Sequence, residues 1–308
     1  MNEFRVQQKL MGSAFELVVY SEDETVANRH LENGINEIKR IEKLLSEFDP
    51  GSVTSLINRN AGIKGVQVTP EVFDLIGRCL KISQLTQGAF DITTGPLKKL
   101  YDFKRKEIGF PSQQMLDETL EKIGSNLIHI GKGQTVYLTR QGMAISFASI
   151  GKGYAADRVK YLWKSAGVRS GLINASGDLC AIGSKPDRQP WKVGIPDPEN
   201  QDRILLSIPV IDGAVATSGD YEQYFHHEGK RYGHTLNPAT GLPVSWIKSV
   251  SIKGNSAELC DALATSVTVM GIEAGLHLLN QLPDTHGLII DKYNKLHFSK
   301  NITFEKTK

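Results

Sequence analysis

The order in which strand and helix patterns follow one another limits the fold of this chain more than any other feature. Residues 15–20 (FELVVY) have a strand-forming composition, and apolar residues spaced three and four apart over 22–45 predict an amphipathic helix. Further strand patterns follow one another between 127 and 211, and helical patterns separate only some of them. Because strand and helix do not alternate strictly, we predict an α+β fold with mixed or antiparallel sheets flanked by helices, and not a doubly wound parallel sheet.

Terminal residues and turns mark several further elements. Thr69 followed by Pro70 predicts a helix start, and Ser256 and Gly271 predict the two ends of a later helix. Residues 101–125 are interpreted as an insertion or a helical excursion. No internal repeat and no low-complexity linker divides the chain, so residues 1–308 are predicted to form one domain. Strands are predicted at 127–130, 135–139, 144–150, 170–174, 191–195, 204–211 and 250–253, and helices also at 155–166 and 256–270.

The composition excludes several classes of function. Thirty-six basic against 34 acidic residues leave a formal net charge of +2, which is too small to indicate binding of nucleic acid through bulk electrostatics. The three cysteines, Cys79, Cys180 and Cys260, form no C-x-x-C pair and are predicted to be buried thiols. No apolar run reaches the roughly 18 residues that a membrane span requires. We therefore predict neither a nucleic-acid partner nor a membrane span.

The N-terminal residues indicate the cellular compartment in which the chain is expected. The segment MNEFRVQQKLMGSAF lacks the apolar stretch of a signal peptide. As written, the chain is expected to be cytoplasmic. A mature domain from which a leader had been removed would have the same sequence, and it would be periplasmic or membrane-anchored.

Residues 214–243 are polar and rich in turn-forming residues, with Gly219-Asp220, Gly229-Lys230 and Asn237-Pro238 among them. The segment is too polar for a core element, and we interpret it as part of a site. Backbone amides and hydroxyls on tight turns suit the binding of phosphate. His234 on such a turn is well placed as an acid or a base.

Two residues of the last long helix suit a divalent cation. Asp261 and Thr265 are four residues apart, so their carboxylate and hydroxyl project from one face of the helix. Mg²⁺ prefers a few oxygen ligands together with substrate phosphate. The alternative is that Asp261 only favours the positive end of the helix and that Thr265 only packs.

A glycine-containing loop at 148–157 also suits a nucleotide. Gly151-x-Gly153-x-x-Ala156 follows a predicted strand and opens a helix, which loosely matches a dinucleotide-binding pattern. On that interpretation Asp178 would bind a ribose, as in a Rossmann oxidoreductase. The position of the loop in the middle of the chain argues against it. In the segment 88–97, Asp91 suits either a hydrogen bond to a nucleotide or the stabilisation of a turn.

These segments, in this order, resemble the ApbE family, the FAD:protein FMN transferases. Each is weak alone, and the resemblance rests on their combination over nearly the whole chain. The matching segments are 11–13, 45–52 with 56–58, 88–93, 150–157, 176–178, 217–220, 234–241 and 261–265.

The resemblance implies a two-lobed fold with FAD in a cleft between the lobes and Mg²⁺ on the FAD pyrophosphate. It implies that Asp261, Thr265 and the backbone carbonyl of Ser149 bind the metal. In the implied reaction Mg²⁺ and Lys152 suit charge neutralisation on the pyrophosphate, and His234 or a carboxylate suits removal of the proton, so His234, Asp261 and Lys152 are the expected catalytic residues. The acceptor is expected to be a threonine or serine hydroxyl of a flavin-accepting protein, such as a subunit of a redox complex, and AMP leaves. The residues that the resemblance places around FAD are Met11, Phe48, Ala89, Phe90, Asp91, Ser146, Lys152 and Thr235.

The chain departs from the family pattern at four positions. Ser146 stands where the family usually has an aspartate that contacts the nucleotide, so FAD affinity is expected to be lower or its pose altered. Phe48 stands where tyrosine is frequent, Asn237 where aspartate is common, and Ser176 where a second glycine is usual. None of these changes affects Asp261 or Thr265.

Three other functions remain open from the sequence. The same metal site could hydrolyse FAD to FMN and AMP with water as the nucleophile. The chain could bind FAD without catalysis, which Ser146 makes plausible. A Rossmann oxidoreductase is the fourth hypothesis.

Overall fold

The computed structural model describes residues 1–101, 103, 109–219, 224–228 and 230–306. Asp220 and Gly229 of the predicted turns therefore lie outside the described residues, as do 102 and 104–108 of the predicted excursion. The strands are β1 Asn2–Leu10, β2 Ser13–Ser21, β3 Val66–Gln67, β4 Ile128–Gly131, β5 Thr135–Leu138, β6 Gly171–Ala175, β7 Asp178–Ile182, β8 Trp191–Asp197, β9 Asn200–Val210, β10 Ala214–Gly219, β11 Tyr224–His227, β12 Lys230–Gly233, β13 Ile247–Gly254, β14 His286–Asp291, β15 Leu296–Phe298 and β16 Glu305–Lys306. The helices are α1 Glu24–Leu45, α2 Val53–Arg59, α3 Pro70–Leu85, α4 Gly95–Lys98, α5 Gln113–Leu120, α6 Gly151–Ser165, α7 Ala257–Met270 and α8 Ile272–Leu279.

An eight-stranded sheet forms the centre, in the order β1-β2-β6-β7-β10-β13-β14-β15. Two three-stranded sheets (β16-β9-β8 and β3-β5-β4) and the hairpin β11–β12 complete the strands of the described chain. All of these described pairings are antiparallel. The α+β prediction is therefore confirmed. The Rossmann interpretation of the 148–157 loop is wrong, because that fold requires a parallel sheet.

Both faces of the central sheet are buried, and alternation along β2 shows why. Leu17 and Val19 pack into the core that contains α1, α6 and α7. Val18 points to the opposite face and joins a second core, where Ile208 and Val210 of β9 pack. The sheet thus lies between a helical layer and the β16-β9-β8 sheet.

The predicted strand at 144–150 is wrong, and a long-range contact explains why. The side-chain amide of Asn58 donates to the Ile145 carbonyl at 3.0 Å, and its oxygen accepts from the Ile145 N–H at 2.8 Å. The Ser146 N–H donates to Ile92 O at 2.8 Å. Partners outside any ladder therefore satisfy this backbone, and the segment is irregular.

Two further predictions need correction. The helix predicted at 155–166 begins four residues earlier, at Gly151. The segment 214–243 is not wholly outside the core, because its first six residues form β10 in the middle of the central sheet, with Ala214, Val215 and Ala216 fully buried. Small apolar residues, and not large ones, build this strand.

The other helices and strands that were predicted begin and end within a few residues of the observed elements. Thr69 accepts the Val72 N–H at the start of α3, and Ser256 accepts the Leu259 N–H at the start of α7. The three cysteines are buried and free. Among the residues described, no helix combines the length and apolar character that crossing a membrane requires. The prediction of a single domain stays a prediction.

Candidate functional site

The N-termini of α6 and α7 meet, and this contact builds the site. A Cβ on Gly153 would lie 2.3 Å from the Ala257 carbonyl oxygen, so only glycine permits the approach. The Asp157 carboxylate of α6 accepts from Ser256 Oγ at 2.7 Å and from the N–H groups of Ala257 and Glu258 at 3.0 Å each. A negative charge at the positive end of α7 is favourable. Asp157 thus fixes α7 on α6.

Two oxygen atoms that the resemblance assigns to the metal have no donor in the described chain. The Gly153 N–H donates to Asp261 Oδ2 at 3.3 Å, and not to the Ser149 carbonyl, which lies four residues before it in the position of a helical acceptor. Within the described chain nothing donates to that carbonyl, nor does the Thr265 hydroxyl make a hydrogen bond. By contrast, the hydroxyls of Ser266 and Thr268 bond back to helix carbonyls at 2.6 and 2.9 Å.

This donor set fits Mg²⁺. Asp261 would supply one carboxylate, Thr265 one turn further would supply a hydroxyl, and Ser149 would supply a carbonyl. No group of three or more His, Cys, Asp or Glu side chains that could hold a metal occurs in the described part of the chain. Mg²⁺ does not need such a group, because it is usually held by one or two carboxylates, water and substrate phosphate.

Lys152, the second residue of α6, is held by a buried acid. Its Nζ lies 2.8 Å from Asp178 Oδ2. Asp178 is 2% exposed, and its other oxygen accepts from the Thr217 N–H at 3.3 Å. Burial raises the pKa of Asp178, and the positive charge of Lys152 acts in the opposite direction. Asp178 therefore positions the ammonium group.

Thr217 of β10 links this pair to the neighbouring strand. Its hydroxyl lies 2.8 Å from the hydroxyl of Ser251 on the neighbouring strand β13. In the turn between β6 and β7, Ser176 has φ 59°, a left-handed conformation that glycine adopts with less strain. The turn nevertheless places Asp178 at the first position of β7.

The predicted nucleotide-binding residues Met11 and Phe48 lie on turns. Met11 occupies the β1–β2 turn, and its Cε lies 3.5 Å from the position of a Cβ on Gly151. Phe48 lies between α1 and α2 with 88% of its surface exposed. An aromatic ring exposed to this degree is available for stacking on a planar ligand.

The segment Ala89-Phe90-Asp91 follows α3, and its side chains are largely occupied. Phe90 is 1% exposed and belongs to the core, so only its backbone can line a ligand. Asp91 Oδ1 accepts from the N–H and hydroxyl of Thr93 at 2.7 and 2.6 Å, and Oδ2 accepts from the Ser125 N–H at 2.8 Å. Asp91 thus stabilises a turn. A cavity of about 440 Å³ borders it, lined also by Gly88 and Ser125.

Ser146 is buried, and its partner was not expected from the sequence. Its hydroxyl donates to Glu47 Oε1 at 2.8 Å. Glu47 precedes Phe48 in the chain, 99 residues from Ser146. The sequence contains no local signal that would pair them.

His234 and Thr235 follow β12 directly and are half-buried. The Thr235 carbonyl accepts from the Val244 N–H at 2.9 Å, which closes the loop 235–244. Aromatic packing supports the hairpin before His234, with the rings of Phe225 and Tyr232 stacked 5.5 Å apart. The catalytic role of His234 and the FAD-binding role of Thr235 stay predictions.

An ionic network beneath α6 and α7 was also missed by sequence reasoning. The Tyr154 hydroxyl donates to Glu71 at 2.6 Å, and Arg40 pairs with the same carboxylate at 2.7 Å. Arg78 pairs with Glu258, in the first turn of α7, at 2.6 Å. The hydrogen bonds from Arg40 and Tyr154 lower the pKa of Glu71 to about 2. The network ties α3 to both helices of the site.

Comparisons with known proteins identify the family of the chain. The model of the ApbE family matches residues 11–289. A FAD:protein FMN transferase of Treponema pallidum (strain Nichols) is 30% identical, with 94% of this chain and 85% of that protein covered. A FAD:protein FMN transferase of Klebsiella pneumoniae (strain 342) is 31% identical, with 92% and 87% covered. The crystal structure of an ApbE protein from Thermotoga maritima superposes with a TM-score of 0.90 at 31% identity, with 97% of each chain covered.

Proposed function

The chain belongs to the ApbE family, and we propose that it catalyses the Mg²⁺-dependent transfer of FMN from FAD to a threonine or serine hydroxyl of an acceptor protein. This is a post-translational flavinylation. The observation that carries the metal part of the proposal is the hydrogen bond from Gly153 to Asp261. Because the Gly153 N–H donates to Asp261, the Ser149 carbonyl has no helical donor within the described chain.

Asp261, Thr265 and the Ser149 carbonyl would hold Mg²⁺. The bound ion would supply charge neutralisation on the pyrophosphate of FAD and so make AMP a better leaving group. The α6 N-terminus adds positive potential through its aligned peptide dipoles, although the Gly151 N–H already donates to the Phe147 carbonyl at 2.7 Å.

Lys152 contributes a fixed cation. An ammonium group has three N–H donors, so Lys152 can keep its 2.8 Å pair with Asp178 and still donate to a phosphate oxygen. Because Asp178 is buried, the pair restricts the positions of a long, flexible side chain. This lowers the entropic cost of placing the cation on the substrate.

In the proposed step, the acceptor hydroxyl oxygen forms a bond to the phosphorus of the FMN half. The bond from that phosphorus to the bridging oxygen breaks, and the bridging oxygen leaves with AMP. The hydroxyl proton passes to a base, for which His234 is the proposed residue. The products are one flavinylated acceptor and one AMP per FAD.

The test combines the purified protein, FAD and a candidate flavin-accepting domain with and without Mg²⁺, and follows AMP release and the mass of the acceptor. We expect a mass gain of one FMN that requires Mg²⁺ and is lost in an Asp261→Ala variant. AMP release when no acceptor is present would indicate a FAD pyrophosphatase. FAD binding without AMP, with several acceptors, would indicate a non-catalytic flavin-binding protein. Either result would refute the transferase proposal.

A further inference from the structure

The carboxylate of Glu47 stands between two residues of the predicted nucleotide-binding set. Its Oε1 accepts from the buried Ser146 hydroxyl at 2.8 Å. The next residue along the chain is the exposed Phe48. Ser146 is three residues before Ser149, so the Cα atoms of the carboxylate's partner and of the proposed metal ligand are at most about 10 Å apart.

Hydrogen bonds with serine side chains hold the backbone that carries Glu47. The Ser46 hydroxyl accepts from the N–H groups of Phe48 and Asp49 at 3.2 and 3.3 Å. The Ser55 hydroxyl donates to the Glu47 carbonyl at 3.3 Å. A charged side chain on a braced loop, anchored at one of its oxygens, is preorganised for a ligand.

The second oxygen of Glu47 is available. In the described part of the chain no residue donates a hydrogen bond to Glu47 Oε2. The residue is only half-buried, so a ligand can reach this oxygen. The Lys98 ammonium group is within electrostatic range of Glu47. Burial lowers the pKa of Lys98, and the negative charge of Glu47 acts in the opposite direction. A carboxylate in this setting accepts from N–H and O–H groups, and it repels phosphate.

We infer that Glu47 is a further FAD-binding residue, whose free oxygen accepts a hydrogen bond from an N–H or O–H group of the flavin or a sugar. This rests on the proposed function. Ser146 is uncharged and holds the carboxylate in place, so that Glu47 supplies the acceptor that Ser146 itself lacks.

The experiment measures the Kd of FAD, in the presence of Mg²⁺, by quenching of flavin fluorescence. Glu47→Ala removes the carboxylate, and Ser146→Ala breaks the same hydrogen bond but leaves the carboxylate. The double variant Glu47→Ala with Ser146→Asp returns a carboxylate from the other side of the pair. Glu42→Gln, in the last turn of α1, is the matched control for a nearby half-buried glutamate.

Because hydrogen bonds to charged groups are the strong ones, we expect Glu47→Ala to raise the Kd about tenfold or more. Ser146→Ala should raise it less than about threefold, the double variant should recover most of the loss, and Glu42→Gln should change nothing. If Glu47→Ala unfolds, as shown by circular dichroism, Glu47→Gln replaces it, with a smaller rise expected.

An unchanged Kd in Glu47→Ala overturns the inference. So does an equal loss in Glu47→Ala and Ser146→Ala, because it would assign Glu47 the role of holding the loop. The proposed function fails separately: a wild-type protein that binds FAD but never modifies an acceptor refutes the transferase, while its Kd values still test Glu47.

Discussion

Replacing Gly153 by alanine should damage the site through the α6–α7 contact. The new Cβ would lie 2.3 Å from the Ala257 carbonyl oxygen, 2.6 Å from its carbonyl carbon and 2.9 Å from Glu258 Cα. All three are backbone atoms, so no side chain can turn away. Since carbon contacts become favourable only near 3.5 Å, the helices must separate by about 1 Å. That shift would move Asp261 relative to Ser149 and Lys152.

The expected loss of stability is modest and the expected loss of binding is larger. Overpacking costs about 1–3 kcal/mol, and alanine in a helix returns about 0.5–1 kcal/mol relative to glycine. A net loss of about 1–2 kcal/mol would lower the Tm by a few degrees in a chain of this size. Mg²⁺-dependent FAD binding should weaken by at least about tenfold, because a ligand displaced by 1 Å no longer fits the close, regular geometry of Mg²⁺.

Gly77 provides the matched control. It also lies within a helix, α3, but a Cβ there would have no atom within 4 Å. Gly77→Ala should therefore leave FAD binding unchanged and keep or slightly raise the Tm. The assays are thermal unfolding by circular dichroism and FAD titration at several Mg²⁺ concentrations. A Gly153→Ala variant with wild-type Tm and FAD affinity would refute the reasoning.

Three further predictions concern the same region. Thr265→Val should raise the Mg²⁺ concentration needed for half-maximal FAD binding without lowering the Tm. Thr268→Val, which loses a 2.9 Å bond to Ala264 O, should instead lower the free energy of unfolding by about 1 kcal/mol and leave Mg²⁺ binding unchanged. The opposite pattern would count against Thr265 as a ligand. Asp157→Asn should lower the free energy of unfolding in urea by about 1–2 kcal/mol and weaken Mg²⁺ binding. An effect on stability alone would mean that Asp157 only stabilises the start of α7. Because the pKa of Glu71 is lowered to about 2, the contribution of its charge to stability is complete above pH 4.5 and is lost as the pH falls towards 2. Glu71→Gln should therefore be less stable than the wild type at pH 6, and its free energy of unfolding should fall less steeply between these pH values. Parallel pH profiles of the two proteins would contradict this assignment.

The parts of the site that follow from local spacing could be predicted from the sequence. Asp261 and Thr265 share a helix face because they are four residues apart, and Ser256 caps that helix as its chemistry predicts. The glycines at 151 and 153 indicated that a helix begins in this loop, although the helix was placed four residues too late and the pattern suggested the wrong fold.

Contacts between distant parts of the chain could not be predicted. Asn58 satisfies the backbone of Ile145 from 87 residues away and so prevents a strand there. Glu47 reaches Ser146 across 99 residues, and Arg78 reaches Glu258 across 180. Tertiary partners of this kind override local preference, because a satisfied backbone has no need of a ladder.

The arrangement of Asp261, Thr265 and the Ser149 carbonyl is the central claim, and a crystal structure with FAD and Mn²⁺ tests it most directly. An anomalous difference map locates the ion without assumptions about its ligands. We predict a peak bonded to these three oxygens and to the FAD pyrophosphate, and no peak in Asp261→Ala crystals grown the same way. Bound FAD with the ion elsewhere, or with no ion, would contradict the account.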